Sequence, residues 1–460
     1  MKKNKRAGLI LLLIQVIAWV GCTLPEVEAP GLEPAEGELT GYFEVRADLS
    51  SLALEFSDIE EVWVGDVQAL TPVQEADGWI RFRVQGAPEP GPAAVGFRTE
   101  SGLVSLGRDF NYLPPHDPAF ERVVTLGASL TMGVMDGTPT HDGVLMSPSL
   151  QTARALGAFL PQPVLLPDLF PTVTLDMVGP GPDCDTPNVE SFLRQAIPEI
   201  LGELSYPDGS GFGYEMGRSD PWLEVRNVGV GGYQLDDVVA GPETDELVQN
   251  VLGGFVYDPF IDFGAASERT MMQVVEELEP TLILSFDLLG NDLLLGRSPN
   301  RITTYLPEVI DRLAATGAEV FLADAPNPDL LEGSINGEPA DEGGNELAEA
   351  YNVILNAEAD RYPNIHVVPL KEESDRISVE GLRIGDETYN TRMLGGLLSF
   401  DGLHFSDTGY GMVAQGFVDA INETLGTQVP PIDLAAVAAQ DIHTPEAVRA
   451  AGREPSDCWD

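Results

Sequence analysis

The sequence predicts an α/β protein whose parallel sheet is covered by helices on both faces, with a small all-β sandwich in front of it. Three observations carry this. Beyond Pro114-Pro115, apolar β-rich runs alternate with helical stretches. Between about Leu39 and Leu113, short alternating runs are separated by Gly, Pro and Asp turns. Hydrophobic residues make up 43% of 460 residues, enough to bury cores and to exclude wholesale disorder, and the length suits two or three domains.

Residues 1–21 have the parts of a secretory signal. Basic Met1 to Arg6 precedes the apolar run Ala7 to Val20, which is too short to span a bilayer, and Gly21 gives a small residue before the cut. Trp19-Val20-Gly21-Cys22 resembles the lipobox of bacterial lipoproteins, with Trp19 in place of the usual Leu. That resemblance implies a lipidated Cys22 as the mature N-terminus and an exported chain anchored to the cell envelope, at the outer membrane if the cell has one. The alternatives are a simple cleaved signal and an uncleaved anchor. Residues 22–38, rich in Pro, Glu and Gly, form a tether.

Residues 39–115 are the sandwich, with strands such as Glu61–Gly65, Trp79–Val84 and Ala93–Arg98. Pro34, Gly37 and Gly41, then Val64-Gly65-Asp66 and Phe110-Asn-Tyr112, resemble the IPT/TIG class of immunoglobulin-like domains. No catalytic constellation occurs there, so a spacer or docking module is expected.

Residues 116–430 carry the α/β body, with insertions at about 135–222 and 327–394 and a tail over 431–460. Expected strands are Arg122–Leu126, Glu224–Val228, Thr281–Phe286, Glu319–Ala323 and Ile365–Val368; expected helices are Ser267–Glu279, Ile302–Thr316, Asn345–Asp360 and Gly409–Leu425. Once Cys22 is lipidated, Cys184 and Cys458 remain, in polar settings. They are either a disulfide tying the tail to an insertion or two free thiols.

Charge narrows the partners. There are 74 acids against 25 bases, a formal charge of −49, and three of the four lysines lie in the first five residues. Nucleic acid binding needs clustered Lys and Arg, so no such partner is expected. The acidic surface fits life in high salt, plain solubility or diffuse cation binding equally. No Asp-x-Asp-x-Asp-Gly loop is present, and neither a metal nor a cofactor is expected.

The chemistry collects after strands, where ligands of parallel sheets bind. Strand Arg122–Leu126 runs into Gly127-Ala-Ser129-Leu-Thr131, a strand-to-helix turn that exposes a serine hydroxyl. Thr131 excludes the Gly-x-Ser-x-Gly elbow. Ser399-Phe-Asp401-Gly-Leu-His404 places a carboxylate against an imidazole whose other nitrogen is open to a serine. Of the other histidines, His366 is expected in the core, His116 in a linker, and His141 and His443 have acidic neighbours but no partner motif. Asn227-Val-Gly229-Val-Gly231-Gly232 offers amides to a developing oxyanion, and Gln234 rules out a dinucleotide loop. Leu289-Gly-Asn291-Asp offers the Asn291 amide.

Together these four blocks resemble the SGNH (GDSL-type) hydrolases, in particular their longer bacterial lipoprotein members, over roughly Arg122 to Gly426. The resemblance implies a three-layer, flavodoxin-like α/β/α domain. It implies Ser129 as nucleophile, His404 as general base, Asp401 as its orienter, and an oxyanion hole of the Ser129 and Gly232 amides with the Asn291 side chain. Ala128, Leu289 and Phe405 depart from the family's frequent Asp, Gly and Pro; none of these changes removes a group that handles protons or charge. The expected activity is two-step hydrolysis of a carboxylic ester, on lipid or other small-molecule acyl esters. The alternatives are a polysaccharide O-acetylesterase and an inactive surface binding lipoprotein. The apolar stretch Phe159, Leu160, Val164, Leu165, Leu166, Leu169 and Phe170 would either wall an acyl pocket or pack as ordinary core.

Overall fold

The computed structural model describes residues 31–455 except 51, 53, 76–77, 167–171, 176–217, 221, 243–246, 261–266, 329–330, 332–342 and 393. It divides into two compact units. One takes in the chain up to Glu36, with Phe43–Val84 and Pro92–Asn111; the other holds Gly37–Tyr42, Gln85–Gly91 and the chain from Tyr112 onward.

The strands of the N-terminal region are β1 (Leu32–Glu33), β2 (Glu36–Glu38), β3 (Gly41–Asp48), β4 (Glu61–Val64), β5 (Val67–Gln68), β6 (Leu70–Gln74), β7 (Trp79–Gln85), β8 (Gly91–Thr99) and β9 (Gly102–Leu113). They form sheets of order β1-β3-β7-β6 and β2-β9-β8-β4-β5. Period-two alternation is what sorts their faces: Ile80, Phe82 and Val84 are buried while Arg81 and Arg83 between them are not. Across the two sheets Phe43 meets Phe110, ring centroids 5.7 Å apart.

The larger unit is built on a parallel sheet of β10 (Val123–Thr125), β13 (Leu282–Ser285), β14 (Glu319–Ala323) and β15 (Ile365–Val368), adjacent in that order. Small hairpins lie outside it: β11 (Val134–Met135) with β12 (Thr138–Pro139), and β16 (Leu382–Ile384) with β17 (Glu387–Tyr389). On the free side of β10, Asn227 makes a single parallel bridge to Thr125. With that segment counted, strand order runs second, first, third, fourth, fifth, the flavodoxin-like order, and its switch point falls at the carboxyl end of β10.

Register explains the layers. Val124, Ile283 and Val320 lie side by side and join one buried cluster, whereas Leu284 and Phe321 in the next row join another. The first cluster takes helices Met271–Glu277, Pro299–Ala315 and Gly344–Ala359; the second takes Pro148–Leu156 and Asp407–Leu425. Both faces are thus covered, as the sequence predicts. Each large side chain such as Phe417, buried on the second face, contributes about 1.5–3 kcal/mol.

Two expectations change in detail. Glu224–Val228 shrinks to a bridge, because Arg226 turns its amide to the Pro161 carbonyl rather than to a strand. The stretch 327–394 includes the helix Gly344–Ala359 and β15, so much of it is the crossover and last strand of the sheet rather than an appendage. Among the described residues, no helix is long and apolar enough to cross a membrane.

Candidate active site

The turn after β10 leads into α1 (Ser129–Met132), with Ser129 at its first position. Gly127 is required here. Its φ is +150°, and a Cβ would lie 2.4 Å from Asp287 Oδ1 and 2.3 Å from Thr131 Oγ1. Ala128, at the cap position, has no side-chain oxygen to offer the first helix amides. Asp287, just past β13, supplies it instead: its carboxylate accepts from Ala128 N (2.8 Å), Leu130 N (2.7 Å) and Thr131 Oγ1 (2.6 Å). Burial raises the Asp287 pKa, and those hydrogen bonds work against the rise.

The glycine block packs directly on this turn. Val230 N donates to Gly127 O at 3.1 Å. A Cβ on Gly229 would sit 2.8 Å from Met132 N, and one on Gly231 would come 3.9 Å from Ser129 Cβ. Gly232 follows with φ +86°, a conformation that suits glycine. Asn291 is buried, and its Nδ2 donates to Tyr233 O at 2.8 Å, the carbonyl next to Gly232. An amide nitrogen has two protons, so one bond to Tyr233 leaves a second donor for a ligand. The neighbouring Asp292 accepts from Leu235 N at 2.8 Å and pairs with Arg301, so the third and second blocks are tied twice.

His404 is buried with its Nδ1 2.6 Å from Asp401 Oδ2; the other carboxylate oxygen, Oδ1, accepts from Leu403 N and His404 N, each at 2.8 Å. Burial favours the neutral carboxyl, but the His404 charge and these bonds outweigh it and hold Asp401 below its usual range. For His404, burial favours the neutral ring, and the Asp401 charge and hydrogen bond, with Asp287 and Asp136 behind them, win and raise its pKa.

The chain just after α1 holds this loop. Gly137 N donates to Asp401 Oδ2 (2.6 Å), Asp136 N to Ser399 Oγ (3.1 Å), and Phe400 N to Asp136 Oδ1 (2.6 Å). Tyr410 Oη donates to Val134 O. The segment that begins four residues after the serine is thereby bonded to the residues around Asp401 and His404.

The structure therefore brings Ser129, Gly231 and Gly232 together, links Asn291 to that loop, and pairs Asp401 with His404. The Ser129 hydroxyl and His404 carry no hydrogen bond between them; such bonds commonly tighten only with substrate in place. Cys22, Cys184 and Cys458 lie outside the described residues. His366 is not a core residue: it is half-buried, 2.8 Å from Glu319 Oε2. Among the described residues, no group of three or more His, Cys, Asp or Glu side chains is arranged to hold a metal.

No family model matches the chain, and no curated protein does. Among solved structures, a family two carbohydrate esterase from Cellvibrio japonicus is similar at 12% identity and a TM-score of 0.35, covering 84% of this chain and 90% of that one. A mixed-linkage glucan utilization locus protein, SGBP-B, from Bacteroides ovatus is similar at 13% identity and a TM-score of 0.14, covering 20% of this chain and 21% of that one. At TM-scores this low, the functional reading rests on the residues themselves.

Sequence reasoning passed over Asp287, Asp136 and Asp441, and set His443 aside for want of a partner motif. Asp287 stands two residues beyond the end of β13, where its position alone pointed to the site. Asp441 and His443, two apart in a tail, gave no comparable signal.

Proposed function

We propose that this protein is a serine-dependent carboxylic ester hydrolase. The observation that carries the reading is the buried Asp401–His404 pair, bonded at 2.6 Å and tied to the chain that leaves Ser129. In the proposed reaction His404 Nε2 takes the Ser129 proton as the hydroxyl attacks the acyl carbonyl. Asp401 keeps the proton on Nδ1 and balances the imidazolium. The amides of Ser129 and Gly232 and the Asn291 side chain receive the oxyanion. His404 then protonates the departing alcohol, and water releases the acyl group by the same steps in reverse roles.

For the substrate we favour a short acyl group on a polar alcohol, of the kind an O-acetylated polysaccharide presents. Leu160 belongs to the buried cluster under the sheet, and Val164 and Leu165 are buried, so this stretch packs as core rather than lining an open acyl wall. Leu169 and Phe170 lie outside the described residues. A series of acyl chain lengths beside an acetylated glycan tests this: kcat/KM falling with chain length supports it, and faster turnover of long acyl chains restores a lipid substrate. Labelling by an organophosphonate, absent in Ser129→Ala, tests the nucleophile; no labelling of folded wild-type protein defeats the reading. Export and lipid anchoring through Cys22 belong to the same proposal, and Cys22→Ser would release the protein from membranes.

A further inference from the structure

His443 is buried, in the segment between the helices Leu434–Ala438 and Pro445–Ala450. Its ring has a carboxylate at each nitrogen. Asp441 Oδ1 is 2.9 Å from Nδ1, and Asp136 Oδ2 is 3.1 Å from Nε2. A neutral imidazole has one donor and one acceptor, while carboxylates only accept, so both bonds form together only on a ring with two protons. Asp441 is fixed in turn, its Oδ2 accepting from Thr408 N at 2.9 Å and Thr408 Oγ1 at 2.6 Å. One face of the ring lies on Phe400, centroids 4.3 Å apart.

The other carboxylate leads to the active site. Asp136 accepts from Phe400 N, gives its own amide to Ser399 Oγ, and is followed by Gly137, whose amide holds Asp401. Asp136 also sits at φ +55°, a left-handed conformation that a non-glycine residue keeps only when its surroundings hold it. We propose that His443 is a positioning residue: its doubly protonated ring clamps the 136–137 turn, which in turn sets the loop bearing Asp401 and His404. The role as stated rests on the esterase reading.

The clamp gives activity an alkaline limit. Among the described residues, the charged groups facing His443 are Asp136 from the turn after β11, Asp441 from its own segment, and Asp407 from the first turn of the helix Asp407–Leu425. Burial favours the neutral ring, but Asp136 and Asp441 overcome it and raise its pKa well above the ordinary value. Burial and the nearby Asp441 charge push Asp407 itself well above the usual carboxylate range. The ring therefore loses its proton only above the ordinary histidine range, and an acceptor nitrogen would then face an acceptor oxygen.

The test is kcat and KM for an activated acetyl ester across pH in full-length wild type and His443→Gln, with folding followed by circular dichroism. The expected result is a folded variant with KM within about twofold and kcat lowered about 10- to 100-fold, lacking the alkaline fall of the wild type. A folded variant with wild-type kcat and an unchanged alkaline limb overturns the proposal. If the variant does not fold, nitrogen NMR of wild type with labelled histidines decides: two protonated His443 nitrogens at the pH of full activity, one proton being lost together with activity as pH rises, support the clamp, and one bare nitrogen at the pH of full activity refutes it. If the wild type hydrolyses no ester, the functional reading fails by itself. The His404 Nδ1 proton signal then reads the clamp, shifted or broadened in His443→Gln if it holds and unmoved if it does not.

Discussion

Replacing Asp287 by alanine removes the acceptor for both well-formed amide bonds at the head of α1, those of Ala128 (2.8 Å) and Leu130 (2.7 Å). The Thr131 hydroxyl keeps a weaker alternative in Leu126 O at 3.4 Å, so it is partly rescued. The buried Ala128 amide left without a partner costs about 1–3 kcal/mol and the half-buried Leu130 amide adds less, which puts the loss at roughly 1–4 kcal/mol. Thr131→Val, which removes only the hydroxyl bond, should cost about 1 kcal/mol. Because the same turn fixes Ser129, a shift approaching 1 Å would lower kcat about 10²-fold. Urea unfolding gives the stability, and turnover of an activated ester gives kcat. An Asp287→Ala protein within about 0.5 kcal/mol of wild type, with kcat within about twofold, would refute the account of how Ser129 is held.

Four further outcomes are expected. Asn291→Ala should lower kcat about 10²–10³-fold with little change in KM, measured on the same ester. The raised pKa of His404 places the acid limb of the pH–rate profile above the ordinary histidine value, since only the neutral ring accepts the serine proton; Asp401→Asn should move that limb to lower pH and cost about 10⁴-fold in kcat. In stability, the His404–Asp401 interaction is fully present below the unfolded histidine pKa and declines as pH rises through the folded one, which urea midpoints across that range would record. Gly229→Ala would drive a Cβ to 2.8 Å from Met132 N, a backbone atom that cannot swing aside, so the variant should lose about 1–3 kcal/mol or more and fail to accumulate folded at elevated temperature.

The parallel sheet was legible because buried strands announce themselves by composition: Glu319–Ala323 and Ile365–Val368 match the observed strands residue for residue. Helix starts were less so. The last long helix begins at Asp407, two residues ahead of expectation, because the Ser406 hydroxyl accepts from Gly409 N and draws the cap forward. Asp401 and His404 were visible because they are three apart on one loop. The partners of Asp287, and Asp136 as the second partner of His443, were not, since these pairings span more than a hundred positions and leave no spacing to read. His366 misled for the opposite reason: apolar neighbours in sequence say nothing about a polar partner on the adjacent strand.

Leu165 and Arg218 form an antiparallel bridge, and Ser219 N donates to Val164 O at 2.9 Å. The chain between them, in which Val173 packs with Phe400 and Val448, thus begins and ends side by side. Its closure free energy grows only with the logarithm of its length, about 0.6 kcal/mol for each doubling. Descendants of this chain can therefore trade one excursion for another of quite different size, while the parallel sheet is inherited intact.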